Sequence, residues 1–133
     1  MWLLANALPW LDIDFPAREI VGGALVGFAL VIGLAAVFRF RMAKTTINPL
    51  TPEAASELVV QGVYRLTRNP MYLAMLLVLI GWAYVVANVA ALVMLPLFMG
   101  YLNRFQIEPE ERALRARFGA EFDAYCRRVR RWL

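Results

Sequence analysis

Residues 71–103 read MYLAMLLVLIGWAYVVANVAALVMLPLFMGYLN, 33 positions without a charged side chain, closed in by Arg68 and Arg104. The run is long for one membrane helix of about 20 residues and short for two. The charges on either side decide between them. Ahead of it, after an uncharged stretch of 19 residues (Ile20–Phe38), stand five basic residues: Arg39, Arg41, Lys44, Arg65 and Arg68. Behind it stand eight arginines: 104, 112, 115, 117, 127, 128, 130 and 131. A single crossing would put the two clusters on opposite sides of a membrane. A hairpin puts 13 of the 14 basic residues on one side, which the positive-inside rule favours. Asn88, mid-run, suits the turn. Each arm is then about 15–16 residues, roughly 24 Å at 1.5 Å per residue, shorter than a bilayer's ~30 Å core. Gly81, Pro96 and Gly100 are expected to adjust its packing.

The rest of the chain agrees with a membrane setting. Of 133 residues 62% are hydrophobic and 18% charged, and the mean hydropathy is +0.59. Disorder, a collagen-like chain and a disulfide scaffold are excluded, and a soluble globule fits poorly. The single cysteine allows no internal disulfide, and the absence of histidine removes the commonest metal ligand and His-based acid–base chemistry. No metal site is expected. The excess of 14 basic over 10 acidic residues bears on orientation rather than on nucleic acid. The expected fold is all-α and integral to the membrane, with one full span, a short helical hairpin and amphipathic C-terminal helices. It is one domain, 1–133: an outer segment (1–19), a span (20–38), a cytoplasmic connection (39–70), the hairpin (71–103) and cytoplasmic covering helices (104–133).

Local signals fill in the connection. Thr51-Pro52-Glu53 reads as a helix start, so a helix is expected from Pro52 to about Val60, stopped by Gly62. Asn69-Pro70 repeats that logic, with Asn69 as side-chain cap and Pro70 as first residue of the hairpin. The free N–H groups near Met71 and Tyr72, with Arg65 and Arg68 close by, can hold a carboxylate or phosphate. The apolar Met1–Leu11 lacks a basic start, so it reads as an interfacial segment on the outer face rather than a signal peptide.

Residues 104–133 carry too much charge to span. Their apolar stripe (Ile107, Leu114, Phe118, Phe122, Tyr125, Val129, Trp132) predicts helices over about 109–118 and 120–130, broken at Gly119. By itself this stripe suits helices lying on the leaflet with their aromatics in lipid. Glu111 falls on the stripe, so its carboxylate needs a partner, either an arginine or a bound cation. Cys126 lies among arginines that would lower its thiol pKa.

Three stretches together resemble the isoprenylcysteine carboxyl methyltransferase and phospholipid methyltransferase superfamily, its bacterial isoprenylcysteine carboxyl methyltransferase-like members above all. They are Thr45-Thr46-Ile47-Asn48-Pro49; Leu58-Val59-x-x-Gly62-x-Tyr64-Arg65-x-x-Arg68-Asn69-Pro70-x-Tyr72; and Glu110-Glu111 followed by Leu114, Phe118-Gly119, Phe122, Tyr125, Val129 and Arg131-Trp132. Many relatives have histidine where Asn69 stands, so no histidine base carries over. The resemblance implies a multi-pass protein of the bacterial inner membrane with a cytoplasmic C-terminus. It implies methyl transfer from S-adenosylmethionine to a lipophilic small-molecule or lipid acceptor among membrane lipids. The cofactor site would comprise Gly62, Tyr64, Arg68, Asn69, Pro70, Tyr72, Glu110, Glu111 and Tyr125. Arg68 and the Asn69-Pro70 helix start suit the cofactor carboxylate, the two glutamates its amine or sulfonium, and the tyrosines its adenine or ribose. Glu111 and Arg128 are the catalytic candidates, Arg128 either pairing with Glu111 or orienting an anionic acceptor. Direct displacement needs alignment and exclusion of water more than a base, and no covalent intermediate on Cys126. A nicotinamide-dependent membrane reductase and a non-catalytic membrane adaptor are the alternatives.

Overall fold

The computed structural model describes residues 1–43 and 57–133. The Thr45–Pro49 stretch and the Thr51-Pro52 helix start lie outside the described residues, and within them Leu58–Val60 are not helical. Six α-helices follow in order among the described residues: α1 (Trp2–Ala7), α2 (Arg18–Met42), α3 (Pro70–Val86), α4 (Val89–Leu102), α5 (Glu108–Phe118) and α6 (Ala120–Arg128). The chain is an all-α membrane protein.

Helix α2, at 25 residues, is long and apolar enough to cross a membrane. It packs chiefly on α3 through small residues seven apart, Gly22, Ala29 and Ala36, all buried. A Cβ added at Gly81 would stand 2.8 Å from the Gly22 carbonyl oxygen, so the two backbones nearly touch. Close approach of small residues is how helices gain packing energy where lipid removes the hydrophobic drive between them. The outer face of α2 (Phe28, Leu30, Val31, Leu34, Phe38) and that of α4 (Val93, Leu97, Tyr101) are exposed and apolar, as a lipid-facing surface requires.

The hairpin turns at Ala87-Asn88. Ala87 takes a left-handed backbone (φ 52) to end α3. The buried Asn88 side chain caps α4 by accepting from Ala90 N (2.9 Å), and its amide donates to the Leu8 carbonyl (2.9 Å) and to Asp12 Oδ1 (2.7 Å). One asparagine thus makes the turn and holds the Met1–Leu11 segment against the hairpin tip.

The second arm does not stop where charge resumes. Helix α4 passes through a π-helical turn, Asn103–Ile107, directly into α5, one run over Val89–Phe118. Pro109 accounts for the break in register: it lacks the N–H that Phe105's carbonyl would receive, and its ring crowds that carbonyl. Helix α5 has charge at six of its 11 positions, more than a lipid-embedded segment tolerates.

Gly119 (φ 49) separates α5 from α6 at the expected place. The stripe faces inward, however. Phe122, Tyr125 and Val129 form a buried cluster with Leu58, against which Val60, Leu114, Phe118 and Cys126 pack. The aromatics are therefore not in lipid. Leu58 and Val60 supply an apolar surface of the protein's own, and burying the rings there satisfies the same driving force.

Candidate functional site

The basic end of the bundle gathers the start of α3, the start of α5 and the segment after α6. Consecutive helix residues point about 100° apart, so the neighbours Glu110 and Glu111 address different partners.

Glu111 is gripped by two arginines. Arg68 Nη2 donates to Oε1 at 2.8 Å. Arg131 donates twice, Nη2 to Oε2 at 2.6 Å and Nε to Oε1 at 3.2 Å. The carboxylate on the stripe has its arginine partner, and Arg131 fills the place expected of Arg128. Arg128 is exposed and donates to Ala124 O, one turn back in its own helix. Burial alone would raise the Glu111 carboxyl, but the hydrogen bonds and charges of Arg131 and Arg68 hold it below its ordinary range.

Glu110 has neutral company. Its Oε1 accepts from Tyr72 Oη (2.5 Å) and Gln106 Nε2 (2.8 Å). Among the described residues no hydrogen bond falls on Oε2. Burial pushes this carboxyl up; the hydrogen bonds from Tyr72 and Gln106 oppose the rise, and the charge of Glu111 adds to it. Two adjacent carboxyls are thus driven apart, one paired with two arginines and one, among the described residues, without an ion-pair partner.

Arg68 is spent largely inside the protein. Its Nη1 donates to the carbonyls of Val129 (2.8 Å) and Cys126 (3.2 Å), and its Nη2 serves Glu111. Its Nε is buried and without a hydrogen-bond partner among the described residues. Asn69 and Pro70 do begin α3, but the Asn69 side chain makes no cap; its amide donates to the Arg131 carbonyl at 2.9 Å. Thr67 Oγ1 donates to the same carbonyl at 3.1 Å, and Arg68 N to that of Arg130 at 2.9 Å.

The tyrosines divide. Tyr72 lies at the site. Tyr125 is buried in the apolar cluster and donates to the Tyr64 carbonyl at 2.7 Å. Tyr64 is also buried, its ring edge-on to Phe40 of α2, so these two rings brace the site from behind. Gly62 ends no helix; it opens the 3-10 turn Gly62–Arg65 at φ 63, and a Cβ there would lie 2.5 Å from Arg39 Nε. Burial pushes the Cys126 thiol up despite the opposing charge of Arg68, contrary to the expected lowering.

Sequence reading missed Gln106, Asn103, Thr67 and the part played by Arg131. Gln106 left a signal, four residues before Glu110 on the same helix face. Asn103 accepts from Trp132 Nε1 at 3.1 Å, a pairing that no local pattern announces.

Comparison with known proteins decides the class. Residues 17–121 match the profile described as phospholipid methyltransferase. The chain belongs to the phospholipid methyltransferase family. The matched stretch runs from just before α2 into α6, and so contains Arg68, Tyr72, Gln106, Glu110 and Glu111. A protein of Haemophilus influenzae, described as uncharacterized, is 41% identical over 63 residues, 47% of this chain and 100% of that relative. No solved structure matches. Membership makes this a membrane methyltransferase, and nothing favours the reductase or adaptor alternatives.

Proposed function

We propose that the protein moves a methyl group from S-adenosylmethionine to a lipid or other lipophilic acceptor at the basic end of the bundle, and that this end is cytoplasmic. The observation that carries the reading is the Glu110 carboxyl, held by neutral Tyr72 and Gln106, with no cationic partner and no hydrogen bond on Oε2 among the described residues. A half-buried carboxylate without a cationic partner favours a cationic ligand. The cofactor's ammonium or sulfonium answers that need. The buried Arg68 Nε, without a hydrogen-bond partner among the described residues, fits the cofactor's carboxylate, near the start of α3. Glu111 then holds Arg68 in place from behind. Tyr72 offers its ring face beside Glu110.

When bound, the cofactor supplies a methyl group already activated on a positive sulfur. The protein's part is to fix that group against the acceptor and to keep water away. Tyr64, Tyr125 and Phe122 close the site from behind with apolar surface. A neutral amine acceptor would lose a proton once methylated, to a glutamate or to water; a thiolate or carboxylate acceptor would need no base. The exposed arginines 65, 112, 127, 128 and 130 crowd this end, while Asp12, Asp14 and Glu19 lie towards the other, which supports a multi-pass arrangement with the site inside.

The test is incubation of the purified protein with methyl-labelled S-adenosylmethionine and bacterial lipid extract. Label entering the lipid fraction with wild type, and at most about a tenth as fast with Glu110→Gln, is the expected result. Equal transfer by both would refute the site; no cofactor binding by wild type would refute the cofactor.

A further inference from the structure

The segment after α6 reaches every element that supplies a partner to Glu110. The Arg131 side chain holds Glu111, the neighbour of Glu110 on α5. The Arg131 carbonyl is held by Thr67 and Asn69, and Leu73 N bonds the Asn69 carbonyl in the first turn of α3, the turn that carries Tyr72. Trp132 holds Asn103 of the π turn, three residues before Gln106. Tyr72 and Gln106 meet Glu110 only if these three elements keep their spacing, and residues 131–132 touch all three. They also lie beyond residue 121, where the family match ends.

We propose that Arg131 is a positioning residue of the methyl-donor site, setting the Tyr72–Glu110–Gln106 arrangement through its two-point grip on Glu111. The proposal rests on the S-adenosylmethionine reading above. The side-chain hydrogen bonds of Arg131 go to Glu111 and to none of the three residues. A lysine carries the charge but lacks the planar fork that grips both carboxylate oxygens, so it should replace arginine only in part. Truncating the side chain leaves the Arg131 carbonyl and its two hydrogen bonds, so a substitution isolates the grip on Glu111.

The experiment is calorimetric titration of the full chain in lipid nanodiscs with S-adenosylmethionine. Positioning and folding defects separate in the two fitted quantities. A partly unfolded sample lowers the number of sites and leaves the Kd of the folded fraction alone; a displaced site raises Kd at full occupancy. Arg131→Ala should raise Kd about tenfold with site number unchanged, and Arg131→Lys about threefold. In a Glu111→Gln background, Arg131→Ala should add less than about twofold, because the two residues act as one unit. If Arg131→Ala folds poorly, Arg131→Lys and Glu111→Gln give the same split of Kd from site number. A Kd within about twofold of wild type in Arg131→Ala or Arg131→Lys overturns the proposal, and so do penalties that multiply in the double variant. A wild-type protein that binds no S-adenosylmethionine overturns the cofactor reading and this inference with it; wild-type binding with unaffected variants overturns this inference alone.

Discussion

Glu110 and Glu111 are neighbours of the same chemistry in opposite surroundings, and on the proposed roles replacing each by glutamine should change stability differently. Glu111 receives three hydrogen bonds from two arginines, at 2.6, 2.8 and 3.2 Å, with its side chain 13% exposed. Glutamine keeps the shape and removes the charge, which leaves Arg68 and Arg131 facing each other. Breaking a buried ion pair from one side costs about 3–5 kcal/mol, and the 32% exposure of Arg131 lets solvent relieve part of it, so about 2–3 kcal/mol is expected. For a chain of this size that is a fall of about 10 °C in Tm. Glu110→Gln removes a carboxyl that burial already disfavours as an anion and keeps a side-chain oxygen for Tyr72 and Gln106, so Tm should stay within about 2 °C while cofactor binding fails. The pH dependence separates the two further. The Glu111 carboxyl is lowered in the folded state, so its stabilisation is present above its unfolded value near 4.5 and is lost as pH falls through the folded value. The Glu110 carboxyl is raised, so the folded state binds its proton more tightly and stability declines as pH rises from 4.5 through the folded value. Thermal unfolding of both variants in nanodiscs across pH measures this. A Glu111→Gln protein as stable as wild type, or a Glu110→Gln protein as unstable as Glu111→Gln, would refute the division of roles.

Three further outcomes are expected. Asn88→Ala removes the cap of α4 and both bonds to the Leu8–Asp12 segment, and should cost about 2–3 kcal/mol, with proteolysis then cutting first within residues 8–16. Gly119→Ala meets no neighbour within 4 Å but must adopt φ 49, ψ −121, so its cost of about 1–2 kcal/mol is purely conformational, and a D-alanine placed there by chemical synthesis should recover it. Gly81→Leu drives a side chain into the Gly22 backbone 2.8 Å away and should separate α2 from α3, seen as a shortened lifetime in denaturing detergent; Gly100→Leu, in open space, is the matched control.

What could be read from the sequence was whatever depends on near neighbours or on charge against lipid. The hairpin followed from where arginines stop and resume, the turn from Asn88 and the α5–α6 break from Gly119. The need of Glu111 for a cation followed from its place on an apolar stripe. What stayed hidden depends on distant pairs. No local pattern ties Arg131 to Glu111 twenty positions away, or chooses it over Arg128, which has the same composition around it. The Asn69 side chain makes no cap and is instead turned to the Arg131 carbonyl at the far end of the chain. The stripe of α6 was legible, but a periodic pattern says only that one face is apolar, and whether lipid or Leu58 covers it is a tertiary fact. The π turn was unreadable because Pro109 suits both a fresh helix start and a break in register within a continuing helix.

The unbroken passage from α4 into α5 has a consequence for where the chemistry stands. From Val89 at the hairpin tip to Glu110 the run climbs about 30 Å at a helix's rise, close to the thickness of a bilayer's oily layer. With the hairpin tip at the far surface, as the proposed orientation has it, the helix would work as a ruler and put the Glu110 carboxyl at the depth where lipid tails give way to headgroups. An acceptor anchored by its tails would then present its reactive atom at that level without leaving the leaflet, and the thickness of the host membrane would become a setting of the enzyme.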